Sequence, residues 1–398
     1  MPCRSFPWLL SPSRRLVFSC VCVALWNPVA CGGAPAGKTG AAAADCASPA
    51  DAWRLFRGNP LATGVAGSNL PERLDLLWTF TVDKQGFEST AAIADGTVYA
   101  GSTDGKLYAI DLATGKKRWS YSTELGFTAS AAVRGKAVYI GDTDGVFYCL
   151  DAGSGKLKWK FQTDSEINSS ANFYKDCVLF GSQDAKLYCL KADTGEVVWK
   201  YESRDQIRCF PTIVGDRAFV AGCDKNLHVV DLIKGTSDAD IDIEGPTCCS
   251  PAVMDGNLFV GTEGNTFFAL DPRQAKILWR YENADRAAPY RSSAAVTPEA
   301  VIVGSRDKYV HALDPKTGRK LWDFATKRKV DSSPVVVGSR VFVGSSDGRV
   351  YGLDLKTGRE VWRYEAGGEV NASPAVAAGR MVIGTDAGNL YCFGAKER

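Results

Sequence analysis

Residues 98–111 read Val-Tyr-Ala-Gly-Ser-Thr-Asp-Gly-Lys-Leu-Tyr-Ala-Ile-Asp. Two β-rich runs meet at Asp104-Gly105, and an aspartate-glycine pair between such runs is the strongest short-range hairpin signal. The stretch recurs along the chain. Its glycine slot falls at Gly101, Gly141, Gly181, Ala221, Gly261, Gly304, Gly344 and Gly384, at spacings of 40, 40, 40, 40, 43, 40 and 40. Periods of this length mark arrays of one supersecondary unit. A second marker, near the end of each unit, falls at Trp78, Trp119, Trp159, Trp199, Trp279, Trp322 and Trp362, with Ile241 read into the same place in the fourth unit.

Each unit reads as four short strands. In the first they are 89–94 (A), 97–101 (B), 106–110 (C) and 116–121 (D), separated by Asp95-Gly96, Asp104-Gly105 and Thr114-Gly115. No segment carries a helical period. Four antiparallel strands per 40 residues make a β-propeller blade, so the chain is all-β, an eight-bladed β-propeller. The last unit has A (373–377), B (380–384) and C (389–393) but no D, while a lone D-like strand, 76–82, precedes the first A strand. That strand is expected to complete blade eight, closing the ring and removing an exposed edge.

Composition agrees. The 398 residues are 45% hydrophobic and 23% charged, with 47 basic against 45 acidic side chains, which is globular rather than disordered. Forty glycines fit many turns. Two histidines leave little room for His-based acid–base or metal chemistry. The absence of a basic run excludes nucleic acid as an expected partner. Arg4, Arg14 and Arg15 precede the apolar run 16–26, long enough for an export signal and too short to span a bilayer. Pro28-Val29-Ala30-Cys31 is similar to a bacterial lipobox, making Cys31 a candidate lipidation site; Ala34-Pro35-Ala36 competes as an ordinary cleavage site, and Arg14-Arg15 fits a twin-arginine signal. The expected division is a leader (1–31), an Ala/Gly-rich linker with an entry segment (32–73) and the propeller (74–398). Losing residues 1–30 removes three arginines and no acid, taking the formal charge from +2 to −1.

Repeat alignment assigns most chemically notable residues to the fold. His228 and His311 occupy a slot that is Tyr108, Tyr148, Tyr188, Phe268, Tyr351 or Tyr391 elsewhere. The aspartate of each Asp-Gly turn is what the hairpin demands. Cys149, Cys189 and Cys392 fill a small-residue slot of strand C, and Cys177 and Cys223 lack metal-site spacing. No catalytic residue and no metal-ligand set emerges. One slot, just before strand A, is polar and varied: Glu88, Thr128, Asn168, Arg208, Cys248, Arg291, Asp331 and Asn371. Strand A starts near the mouth of a propeller's central channel, so these are the candidate binding residues. Arg208 and Arg291 suit an anionic ligand or an acidic partner side chain. Cys248 and Cys249 are adjacent, and Cys209 shares the Cys249 slot one blade earlier, so a vicinal or an inter-blade disulfide is open in an exported protein.

The elements Ser-Pro-Ala-Val (373–376), Asp-Gly-Lys-Leu-Tyr-Ala-Ile-Asp (104–111) and Thr-Gly-Arg-Glu-Val-Trp (357–362) resemble the pyrroloquinoline-quinone-type propeller repeat. The resemblance covers 53–398, beginning with Trp53-Arg54-Leu55-Phe56-Arg57-Gly58-Asn59, which is similar to the entry segment of exported bacterial members. Recurrent Gly-His or Trp-Asp pairs of the WD40 type are absent. One branch of the family, the quinoprotein dehydrogenases, implies PQQ with Ca²⁺ and oxidation of alcohols or sugars. Its vicinal cystine is echoed by Cys248-Cys249, but Ser250-Pro251-Ala252-Val253 follows, and no long loops supply calcium ligands. The other branch, which includes the BamB-type outer-membrane assembly lipoproteins, implies a non-catalytic scaffold without a cofactor. On that resemblance the expectation is an exported protein of the periplasm or the periplasmic face of the outer membrane. It would bind envelope proteins, the outer-membrane assembly machinery among them, and touch the membrane only through a lipid anchor. A quinoprotein dehydrogenase and a periplasmic small-molecule sensor are the alternatives.

Overall fold

The computed structural model describes residues 48–83 and 85–396. The leader, the lipidation candidate Cys31 and the start of the linker lie outside the described residues. The rest forms eight four-stranded antiparallel sheets around one axis, with no helix among the described residues. In blade one the strands are Ala92–Ala94, Thr97–Ser102, Lys106–Asp111 and Lys117–Ser122. Strands B and C pack neighbouring blades on both faces, so they read as nearly continuous apolar runs and are buried along their length. Strand D is the outer edge and alternates between half-buried and exposed positions.

Strand A is shorter than expected, starting at Ala92 instead of residue 89. The Thr90 N–H turns away from strand B and donates to Ser130 Oγ of the next blade, 3.0 Å away. Closure is as expected. Asp75–Thr81 runs antiparallel to Asn389–Gly394, with Asp75 opposite Gly394 and Thr81 opposite Asn389, so the two ends of the ring share blade eight.

Tryptophans join the blades. Each indole N–H donates to a carbonyl at the C–D turn of the next blade: Trp78 to Leu112, Trp119 to Ala152, Trp159 to Ala192 and Trp322 to Leu355, all at 2.9–3.0 Å. The glycine of that turn lies under the ring. A Cβ on Gly155 would fall 2.6 Å from the Trp119 ring, and one on Gly195 the same distance from Trp159. In blade four the tryptophan place belongs to Ala239, not Ile241: Ala239 faces Val229 as Trp199 faces Cys189, while Ile241 faces Leu227 as Tyr201 faces Leu187. The distance from the turn glycine settles the register, since Gly235 precedes Ala239 by the same four residues that separate Gly195 from Trp199.

From residue 48 the chain forms a belt along the inner edges of the A strands. Trp53 and Ile93 exchange both backbone hydrogen bonds at 2.8 Å. Backbone N–H groups of Val133, Ile213, Val253, Val296, Val336 and Ala378 then donate to the carbonyls of Arg54, Pro60, Leu61, Thr63, Gly64 and Ala50 at 2.8–2.9 Å. Asn172 reaches the Pro60 carbonyl through its side chain. All eight blades are therefore tied to one segment, and Val65–Ala66 adds a parallel fifth strand beside Val335–Val337. The belt covers the otherwise bare inner edges.

Candidate functional site

All eight residues of the variable slot line one cavity of about 170 Å³ at the open end of the channel. Glu88, Thr128, Asn168, Arg208, Cys248, Arg291, Asp331 and Asn371 form its outer layer, one per blade. Two residues further along each chain segment comes an inner layer: Thr90, Ser130, Ser170, Phe210, Ser250, Ser293, Ser333 and Ser373. Phe56 of the belt also lines the cavity.

The outer layer is cross-braced between blades. Arg291 forms a two-pronged ion pair with Glu263 of blade five, at 2.7 and 3.3 Å. Asp331 accepts two bonds from Arg306 of blade six at 2.8 Å and is 3.0 Å from Lys329. Arg208 donates to Gln183 of blade three at 2.9 Å, and Asn371 accepts from Ser346 of blade seven at 2.8 Å. Asn168 bonds Thr128 at 2.7 Å and also meets Gln183. Glu88 has no such brace. Apart from Asn168–Thr128, which joins two slot residues, the inter-blade partner sits on the B–C turn of the preceding blade, so these side chains order the rim as well as decorate it. Burial pushes the Asp331 carboxyl up, but Arg306 and Lys329 outweigh burial and hold it below the ordinary carboxylate range. A larger groove of about 510 Å³ adjoins between blades seven and eight; its Arg328–Glu369 and Arg349–Glu365 pairs are likewise self-compensating.

Cys248 lines the cavity, its Sγ 3.9 Å from Glu263, and Cys249 is buried against the Tyr290 carbonyl. Both are free thiols, so the vicinal cystine is not formed. Nor is a Cys209–Cys249 bridge: Cys209 is also free, its Sγ 2.9 Å from the Ala221 carbonyl in its own blade. Among the described residues no group of three or more His, Cys, Asp or Glu is placed to hold a metal ion. The histidines sit inside the blades. His228 Nε2 meets Asp224 and His311 Nε2 meets Asp307, each at 2.9 Å, where Tyr108 and Tyr351 donate to Asp104 and Asp347.

A family model described as outer membrane protein assembly factor BamB matches residues 75–208, 167–240 and 306–397, well over half of the chain. The chain belongs to the pyrroloquinoline-quinone-like propeller repeat family. A second model of this family, for the β-propeller domain of glucose, ethanol and alcohol dehydrogenases, matches 236–332, the part that carries Cys248, Arg291 and Asp331. Solved members of the fold include BamB from Moraxella catarrhalis, at 21% identity and TM-score 0.69 over 82% of this chain and 99% of that one. The quinohemoprotein alcohol dehydrogenase from Comamonas testosteroni superposes with TM-score 0.75 at 16% identity, over 87% and 81%. A europium-containing methanol dehydrogenase gives 0.72 at 14%, over 87% and 98%. At these identities the likeness is one of fold. No curated protein matches the chain in sequence.

Within this family fold, the sequence pattern located the outer layer but not the inner one. The serines recur at the repeat period, which was a usable signal, yet they read as the start of strand A. The belt had no such signal, because its residues do not repeat.

Proposed function

We propose that the protein is a non-catalytic, exported propeller that serves as a protein-binding scaffold in the cell envelope, in the manner of an outer-membrane protein assembly factor. The observation that carries this reading is the rim. Eight varied side chains from eight blades converge on one face, and most are held in place by the neighbouring blade, which suits recognition of a protein surface. The match of the BamB-described family model to most of the ring supports the same reading.

The dehydrogenase reading has the second family model in its favour. The residues present do not suit its cofactors. Calcium takes six to eight oxygens, whereas the two carboxylates of the outer layer come from blades one and seven and the second is already held by two cations. An aspartate kept ionised by Arg306 and Lys329 is also a weak general base.

The two readings part in one experiment. A photo-crosslinking side chain at position 208 or 371, activated in intact envelopes, is expected to capture a component of the outer-membrane assembly machinery. The scaffold reading fails if no such component is captured, or if the purified protein mixed with PQQ and Ca²⁺ gains quinone absorbance and reduces dye with alcohols.

A further inference from the structure

Neighbouring blades are tied in two places, by tryptophan toward the outer edge and by the braced slot at the rim. Trp199, Trp279 and Trp362 complete the tryptophan series, donating to the Leu232, Pro315 and Leu74 carbonyls at 3.2, 2.9 and 3.4 Å. One boundary lacks this tie. Between blades four and five the tryptophan place belongs to Ala239, whose side chain has no donor.

At that same boundary the rim brace is a pair of cysteines. A repeated backbone bond frames each brace, running from the residue before the slot to the carbonyl before the turn partner. Ile207 donates to Ser182, Thr247 to Gly222, Tyr290 to Thr262, Val330 to Ser305 and Val370 to Ser345, all at 3.0–3.1 Å. One residue further along both segments the side chains meet: Arg208 with Gln183, Arg291 with Glu263, Asp331 with Arg306 and Asn371 with Ser346. In the frame made by Thr247 and Gly222 the next residues are Cys248 and Cys223. Ser346, with a side chain as short as that of cysteine, already reaches Asn371 at 2.8 Å in this frame. Burial pushes the Cys223 thiol up, Arg208 opposes it, and Cys248 stands near enough to add to the rise. Both thiols are free and partly exposed.

We propose that Cys223 and Cys248 are a redox pair, which a disulfide oxidant, small or protein-borne, converts into an inter-blade cystine at the one boundary without a tryptophan tie. Cys248 is the attacking group, because contact with the Cys249 thiol holds it below the ordinary thiol value against the effect of burial. Its sulfur attacks one sulfur of the oxidant and breaks that S–S bond, so that half of the oxidant leaves as a thiol and half stays on Cys248 as a mixed disulfide. Cys223 then attacks Cys248 Sγ, forming the Cys223–Cys248 bond and releasing the second half as a thiol. Two electrons pass from the cysteines to the oxidant, and the two cysteine protons end on its two released thiols. Cys249, buried against the Tyr290 carbonyl, takes no part. The pair is independent of the partner-binding reading, since it is read on the purified protein alone.

The test incubates the purified protein with dithiothreitol or with oxidised glutathione, alkylates the remaining thiols and maps tryptic peptides without reduction. Oxidation should join peptide 218–225, which carries Cys223, to peptide 235–273, which carries Cys248. It should also raise the melting temperature by roughly 3–5 °C over the reduced protein. Cys249→Ala should keep both effects, and Cys223→Ser and Cys248→Ser should each lose both. The proposal is overturned if the folded protein yields only mixed glutathione disulfides or a Cys248–Cys249 link, if the two peptides still join in Cys248→Ser, or if they join only in urea. An unchanged melting temperature on oxidation would equally remove the cystine as a tie between the blades.

Discussion

At the scale of single residues, the two histidines are buried polar substitutes for tyrosine, and one carries a pH dependence. Burial pulls the His228 imidazole down, but the carboxylates of Asp224 and Asp240, 2.9 and 2.8 Å away, outweigh it and raise its pKa above the ordinary value. A group whose folded pKa is raised contributes stability that is complete below its unfolded pKa, about 6.5, and is lost as pH rises through the folded value. His228→Tyr puts back the side chain of the other blades, which donates to the turn aspartate without titrating near neutrality. The wild type should therefore lose more of its urea midpoint between pH 6 and pH 9 than the variant does, and equal losses would remove His228 from the account. The thiols offer a second check. Cys248 and Cys223 are partly exposed, whereas Cys149, Cys177, Cys189, Cys209, Cys249 and Cys392 are buried. Burial also pushes Cys149 up to about 11 and Cys392 up to about 12. Native alkylation read by mass spectrometry should mark Cys248 and Cys223 and leave the six others until the fold is melted. Half of the buried set was legible from the repeat, because Cys149, Cys189 and Cys392 stand where other blades have alanine or glycine; Cys177, Cys209 and Cys249 carried no such signal.

At the scale of the blade, tryptophan and glycine act as a pair across each inter-blade boundary. The turn glycine has positive φ, +70° at Gly155, and lies under the preceding indole, so alanine there meets both backbone strain and the ring. Strain alone is worth about 1–2 kcal/mol. The exception tests the rule: where blade four has Ala239 in place of tryptophan, the facing turn of blade five has Ala275, at φ +49°, in place of glycine. Gly155→Ala should thus destabilise by more than about 1 kcal/mol in urea. Ala239→Trp should destabilise alone and be relieved by Ala275→Gly, with a coupling of about 0.5–3 kcal/mol in a double-mutant cycle. Additive effects would show that the two slots do not touch. Strand order and blade number were legible because hairpin turns and apolar runs are local. The true start of strand A was not, because the Thr90 N–H turns to Ser130 of the next blade, and nothing local in the sequence reports a partner forty residues away.

At the scale of the ring, two closures operate and only one was legible. The D strand of blade eight could be counted, since one unit lacked a strand and another strand lacked a unit. The belt is legible only in three dimensions. Its backbone carbonyls do the binding, and a carbonyl leaves no mark on composition or periodicity. The same holds for the channel mouth: the pattern named the slot residues, whereas their convergence depends on the closed ring. Trp53 anchors the belt while belonging to no blade; it is wholly buried and doubly bonded to Ile93. Truncating a buried tryptophan costs about 3–5 kcal/mol, and if the belt acts as one element the loss should travel along it. In Trp53→Ala, hydrogen exchange should accelerate at the Val133, Val253 and Val336 amides, which donate to the belt in blades two, five and seven, while amides between strands B and C keep their protection. Acceleration confined to Ile93 and its neighbours would mean that each blade holds the belt independently.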